Sequence, residues 1–153
     1  MKKWVWWGWL VGPLVLVLVW VAAAFALQPS HESQTVKCFE EQREILEELA
    51  QLTLEQGSSE GIVPPSPWRG VEFHHSGIPT VEFDMGGFGF GSSTTYWGVN
   101  YIPSDNAMVG FQGRQWDYWK AQGEGRLYYD PEGDNTCYVR KLDDCWYYYE
   151  MSF

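Results

Sequence analysis

The chain has 153 residues, with 20 Asp and Glu against 10 Lys and Arg, and its formal net charge at pH 7 is −10. This acidic excess argues against nucleic-acid binding, because the phosphate backbone is bound mainly by basic side chains. Aromatic residues make up 18 % of the chain. A chain so rich in large apolar side chains can bury a core, which argues against disorder.

The N-terminal segment has the composition of a membrane helix. Lys2 and Lys3 are followed by residues 4–30, which contain no Asp, Glu, Lys, Arg or His. A bilayer is spanned by about 20 apolar residues in a helix. We predict a transmembrane helix over residues 10–27, with residues 1–9 in the cytoplasm and the interface. The two lysines before the span favour a cytoplasmic N-terminus and a single-pass protein with residues 28–153 outside the cell membrane.

Two features of this segment leave alternatives open. Residues 24–26, Ala-Phe-Ala, resemble a signal-peptidase site, and cleavage there would make the protein secreted. Gly8 and Gly12 form a G-x-x-x-G motif, which allows two membrane helices to approach closely and form a homodimer.

Residues 28–67 are predicted to form a juxtamembrane helix and a proline-rich linker. A helix over 35–56 is favoured by its Glu, Gln and Leu content and by Phe39, Leu46 and Leu49 at helical spacing. Gly57 ends the helix pattern, and the prolines of the linker prevent regular structure as far as residue 67.

Residues 68–153 change to short aromatic and β-branched runs separated by turn residues, a pattern typical of strands. Short connections between strands require antiparallel pairing. We therefore predict an α+β fold in which an antiparallel β-meander of six to eight strands packs with helix 35–56. The candidate strands are residues 71–75, 80–85, 94–101, 108–111, 117–120, 126–129, 136–141 and 146–151.

Cys137 and Cys145 flank a segment that can form a β-hairpin centred near Lys141. In such a hairpin the two cysteines would lie opposite each other, within disulfide distance. An exported domain permits the bond, so a Cys137–Cys145 disulfide is expected. A bridge from Cys38 to either of them is the alternative.

The candidate ligand-binding residues are aromatic. Consecutive residues of a strand point to opposite faces, so an aromatic run cannot be buried by one helix alone. Either the rings form a two-sided aromatic core, or the exposed ones bind a glycan or an envelope protein by stacking. The residues predicted for this role are Trp116, Tyr118, Trp119, Trp146 and Tyr147.

No pattern in the chain predicts catalytic residues, a metal site or a cofactor. Glu72 and His74 share a strand face, but zinc needs three or four ligands. Residues 130–135 match a turn better than a calcium loop, which requires a later bidentate acid. The glycine-rich residues 86–93 precede a strand-like run rather than a helix, so they predict a loop and not a phosphate cradle.

The sequence therefore predicts a membrane-anchored extracytoplasmic binding or interaction module that is not an enzyme. The first alternative is a self-associating structural component of the cell envelope. The second is a secreted hydrolase whose catalytic residues are dispersed along the chain, which would require titratable groups to converge in a cleft.

Overall fold

The computed structural model describes Val15, residues 29–91 and residues 93–153. The chain separates into two units, residues 1–30 and residues 31–153. The described part of the second unit has one α-helix and seven strands, which confirms the predicted α+β class. In chain order the elements are α1 (His31–Gln56), β1 (Gly70–His74), β2 (Thr80–Phe90), β3 (Ser93–Tyr101), a 3-10 turn (Phe111–Gly113), β4 (Trp119–Gln122), β5 (Gly125–Tyr129), β6 (Thr136–Asp143) and β7 (Trp146–Ser152).

The predicted membrane anchor, residues 10–27, lies outside the described residues except for Val15. Among the residues that are described, no helix is at once long and apolar enough to cross a bilayer. The G-x-x-x-G motif of residues 8–12 and the possible cleavage site at residues 24–26 also lie outside the described part.

All strands belong to one antiparallel sheet with the order β1-β2-β3-β7-β6-β5-β4. It is not the single meander that was predicted, because two meanders meet where β3 pairs with β7, as in Val99 opposite Tyr148. After β3 the chain leaves the sheet and rejoins it as β4 at the opposite edge. The predicted strand 108–111 is absent, since Val109 makes only an isolated bridge to Gln115.

Helix α1 covers one face of the sheet, which we call the helix face. Its apolar side chains, including Phe39 and Leu46, are buried against Phe83 and Trp146. The Phe39 and Trp146 ring centroids are 5.0 Å apart. The helix begins four residues before the predicted start, at His31, whose carbonyl oxygen accepts a hydrogen bond from the Thr35 hydroxyl.

Residues 102–118 cover the opposite face, which we call the loop face. Ile102 and Val109 pack there against Tyr147 and Tyr149. The sheet is therefore buried on both sides, and the four consecutive aromatic residues 146–149 are all buried. Consecutive residues of a strand point to opposite faces, so an aromatic run is buried only if both faces are covered. Here α1 covers one face and residues 102–118 cover the other.

The glycine-rich segment is not a loop, because residues 86–90 continue β2 and pair with β3. A Cβ atom on Gly86 would lie 2.6 Å from the indole of Trp97, and one on Gly87 would lie 2.9 Å from the ring of Tyr96. The two glycines thus leave room for aromatic rings to lie across the neighbouring strand, a known way of stabilising strand glycines.

The predicted Cys137–Cys145 disulfide is wrong, and all three cysteines are free. The hairpin turn lies at residues 144–145 and not at Lys141, so Cys137 pairs with Met151 while Cys145 occupies the turn. Strand residues rise about 3.3 Å each, so the length of β6 separates the two cysteines by about 20 Å. A disulfide requires Cα atoms within about 7 Å.

Candidate functional site

The structure does not bring the five predicted aromatic residues together. Trp146 is buried on the helix face, where its indole N–H donates to Glu47 Oε2 at 2.7 Å. Tyr147 is buried on the loop face. Trp116 and Trp119 both pack on Tyr128, and the Trp119 indole N–H donates to the Trp116 carbonyl at 2.8 Å.

Tyr118 is the one member of that set with a mostly exposed ring. Trp116 and Trp119 are partly buried, whereas Trp146 and Tyr147 are fully covered by the helix and by residues 102–118 respectively. Trp146 and Tyr147 are core residues on opposite faces of the sheet, so the five side chains do not share one surface.

A different part of the loop face contains an open cleft of about 730 Å³. It lies between β2, the 3-10 turn, the β5–β6 turn and the last residues of the chain. Its lining comes from segments that are distant in the sequence: Glu72, Glu82, Asp84, Gly91, Thr94, Tyr96, Phe111, Gln112, Asp134, Asn135, Tyr149 and Phe153.

Glu82 forms the buried floor of this cleft, with only 4 % of its surface exposed. Its Oε1 accepts a hydrogen bond from the Tyr149 hydroxyl at 2.9 Å, and its Oε2 accepts one from the Gln112 backbone N–H at 2.8 Å. Gln112 reaches it with a φ of 56°, in the left-handed region that side chains other than glycine rarely adopt. Both donors offset the cost of burying a carboxylate.

The Tyr149 hydroxyl remains a donor to Glu82. Burial raises the pKa of Tyr149 well above its ordinary value, and the negative charge of Glu82 raises it further. An ionised phenol beside a carboxylate would place two like charges in a site with little water. The floor of the cleft is therefore the carboxylate of Glu82, which is held in position by the neutral phenol of Tyr149.

His74 extends this group of charged residues toward the edge strand β1. Its Nε2 lies 3.5 Å from Glu82 Oε2 and 3.7 Å from Glu72 Oε2. These distances permit an ion pair when the imidazole is protonated. Among the described residues, no three His, Cys, Asp or Glu side chains are placed to hold a metal ion.

Asp84 follows Glu82 on the same face of β2. Burial raises the pKa of Asp84, and Glu82 adds to that effect, while Arg69 at 3.9 Å from Oδ2 opposes it. Its Oδ1 is buried and accepts no hydrogen bond from the described residues. An unpaired buried acceptor is unfavourable, so Asp84 has an unmet capacity to bind a donor.

Three rings form one side of the cleft, and we call them the aromatic wall: Tyr96, Phe111 and Phe153. Tyr96 and Phe111 are stacked with centroids 5.7 Å apart. Phe153 meets both rings edge-on, at 6.1 Å and 5.9 Å. The wall is held in place by the backbone N–H of Phe153, which donates to the Thr94 carbonyl at 3.0 Å.

The lining is predominantly acidic, and the described Lys or Arg nearest to it in the ion pairs above is Arg69, 3.9 Å from Asp84 Oδ2. Four of its residues carry carboxylates: Glu72, Glu82, Asp84 and Asp134. None of the described residues that line it is Lys or Arg. The faces of aromatic rings also carry negative potential, so the cleft attracts a cationic group and can pack apolar surface beside it.

The sequence did not predict this cleft, because its lining comes from segments that are far apart in the chain. The alternation Thr80, Val81, Glu82, Phe83 and Asp84 is typical of a half-buried strand. No local pattern shows that residues 102–118 fold over the polar side. Comparisons with protein-family models, with curated proteins and with solved structures each found no match to this chain.

Proposed function

We propose that this chain is a membrane-anchored extracytoplasmic binding module, not an enzyme, whose cleft binds a cationic group on a partner molecule. The anchor is residues 10–27, with the N-terminus in the cytoplasm. The observation that carries the proposed specificity is the pairing of four carboxylates with the aromatic wall, in a lining without Lys or Arg among its described residues. A lysine or arginine side chain of an envelope protein has the required charge and an apolar stem.

The state of Glu82 favours binding over hydrolysis. A general acid or base must exchange a proton with the substrate, but both oxygens of Glu82 already accept hydrogen bonds and the side chain is buried. The alternative of a hydrolase is supported by Asp84, whose raised pKa and unpaired Oδ1 are features of a catalytic acid.

The proposal is tested by titrating the full chain in detergent micelles with N-acetyl-lysinamide and with tetramethylammonium. The neutral comparison probes are N-acetyl-leucinamide and an uncharged trisaccharide. Binding is followed by the NMR signals of the aromatic wall. We expect saturable shifts with the two cations only. Shifts with the trisaccharide alone would contradict the proposed charge selectivity and favour a glycan ligand.

Variants locate the binding to the cleft. Asp84→Asn and Glu72→Gln each remove one negative charge without changing side-chain size, and each is expected to weaken cation binding about tenfold, equivalent to about 1.4 kcal/mol. Glu55→Gln on the exposed side of α1 is the matched control and should bind as the wild type does. Equal losses in all three variants would show that only net charge matters.

The affinity for cations should also decrease as the pH is lowered. Because the pKa of Asp84 is raised above 3.8, its carboxylate is lost at a higher pH than that of an ordinary aspartate. As the pH is lowered, cation binding by the wild type should therefore begin to weaken at a higher pH than an ordinary aspartate would give, and this part of the pH dependence should be absent in Asp84→Asn.

A further inference from the structure

The end of the β2–β3 hairpin carries two of the three most exposed large apolar side chains among the described residues. Phe88 is 80 % exposed and Phe90 is 95 % exposed. Pairing of β2 with β1 ends at Asp84, and pairing of β3 with β7 ends at Thr95. The hairpin beyond these points is a two-stranded ribbon that projects from the sheet.

The two phenylalanines lie on one side of this ribbon. Residues two apart in a strand share a face, and Phe88 pairs with Thr95 while Phe90 pairs with Ser93. Ser93 and Thr95 alternate with Trp97 at two-residue spacing, so all three point to the same face. Trp97 lies on the helix face, because His31 of α1 stacks on it. Phe88 and Phe90 therefore lie on the helix-face side of the ribbon.

The polypeptide joins the second unit at this same end of the sheet. Helix α1 starts at His31, whose ring stacks on Trp97 with centroids 3.8 Å apart. Residues 28–30 separate His31 from the proposed anchor. A fully extended chain spans at most about 3.6 Å per residue, so this connection covers no more than about 14 Å from residue 27 to residue 31.

The charge distribution fits a lipid surface at this end. Without Lys2 and Lys3, residues 28–153 carry eight Lys and Arg against 20 Asp and Glu, a net charge of −12. An acidic domain is repelled by anionic lipid headgroups. Residues 85–104 contain no charged residue at all, so the hairpin can approach such a surface without that repulsion.

We propose that Phe88 and Phe90 insert into the interfacial region of the outer leaflet and form a second membrane contact in addition to the anchor. This inference rests on the proposed membrane anchor and adds a role for the hairpin. Insertion of the hairpin would restrict the orientations that the domain can adopt relative to the membrane. The cleft, whose lining includes Gly91 and Thr94 of the same hairpin, would then have a fixed orientation relative to the membrane.

The ribbon has the local structure that such an insertion requires. Gly89 has a φ of 144°, and a Cβ atom there would lie 2.1 Å from the Ser93 carbonyl oxygen. Glycine at this position lets the strands stay close while the phenylalanines point outward. Apolar rings at headgroup depth are a common way in which proteins attach to a bilayer interface.

Site-specific photocrosslinking of the full chain tests the proposal. The photoreactive residue p-benzoylphenylalanine replaces Phe90 in one variant and Val63 in a second. Val63 is 81 % exposed and lies in the loop after the C-terminal end of α1, so it matches Phe90 in exposure and differs in location. A third variant carries the residue in place of Trp20, within the proposed anchor. Each is reconstituted into vesicles of phosphatidylcholine and phosphatidylglycerol that contain an alkyne-tagged lipid.

We expect lipid adducts at positions 20 and 90 in similar yield and a yield near background at position 63. Lipid adducts at position 20 without any at position 90 would overturn the hairpin contact and leave the anchor intact. Absence of adducts at both would overturn the anchor and, with it, this inference. A protein adduct at position 90, to a second copy or to another chain, would identify the hairpin as a protein interface and also overturn the proposal.

Discussion

Replacing Tyr149 with Phe removes one of the two donors that hold the buried carboxylate of Glu82. The hydroxyl of Tyr149 donates to Glu82 Oε1 at 2.9 Å, and both residues are buried. A hydrogen bond to a charged group contributes about 1.5–3 kcal/mol, and water cannot readily replace a lost donor at a buried site. We expect Tyr149→Phe to lower the free energy of unfolding by about 2–3 kcal/mol.

Urea unfolding of the full chain in mild detergent, followed by tryptophan fluorescence, measures this loss as a lower midpoint with an unchanged m-value. Tyr148→Phe is the matched control, because its hydroxyl donates at 2.8 Å to Glu150, which is partly exposed. Water can reach that carboxylate, so the control should lose about 1 kcal/mol or less. In a Glu82→Gln background, the cost of Tyr149→Phe should fall by about 1 kcal/mol. Equal losses in the two tyrosine variants would refute the conclusion that Glu82 is a buried carboxylate stabilised by the Tyr149 hydroxyl.

Three further predictions concern packing, thiols and acid stability. Gly98→Ala should lower the free energy of unfolding by about 2 kcal/mol or more, because its Cβ would lie 2.1 Å from a carbonyl oxygen of β2. Gly70→Ala, with open space around its Cβ, should be nearly neutral, and equal effects of the two variants in urea unfolding would be inconsistent with this packing. Burial raises the pKa of the Cys137 thiol to about 12, so Cys137 should react with a thiol reagent only on unfolding, and an intact mass that increases on reduction would instead reveal a disulfide. Hydrogen bonds from Lys141, Tyr147 and the Cys145 backbone lower the pKa of Asp105 to about 2. The contribution of Asp105 to stability should therefore be complete above about pH 4, the range of an unfolded aspartate, and lost as the pH falls toward 2. A melting temperature that depends on pH in the same way in Asp105→Asn would contradict this.

The helix and most of the strands could be predicted because their signals are local. Helix composition and the spacing of Phe39 and Leu46 suffice to place α1, since one buried stripe is all that a covering helix needs. The turn at residues 130–135 follows from its side chains, and the Asp130 N–H indeed donates to the Asn135 carbonyl at 2.9 Å. The prediction of α+β depends on these local patterns alone.

Strand order and the disulfide could not be obtained in this way. A shift of a hairpin turn changes every cross-strand neighbour, and a turn at residues 144–145 instead of Lys141 places Cys137 opposite Met151. Similarly, nothing local shows that β3 pairs with β7, because that pairing depends on how two meanders bury their apolar faces together.

By itself, the sequence determined an acidic, aromatic-rich α+β domain, but it did not determine which residues the aromatic rings contact. Only the tertiary structure decided that Trp146 and Tyr147 are core residues, and that Glu82, Asp84, Tyr96 and Phe153 share one cleft. The physical reason is that burial belongs to the assembled sheet and not to any single strand. The polar side of β2 becomes the floor of a cleft because residues 102–118 fold across it, and a local pattern of alternating residues carries no information about that cover.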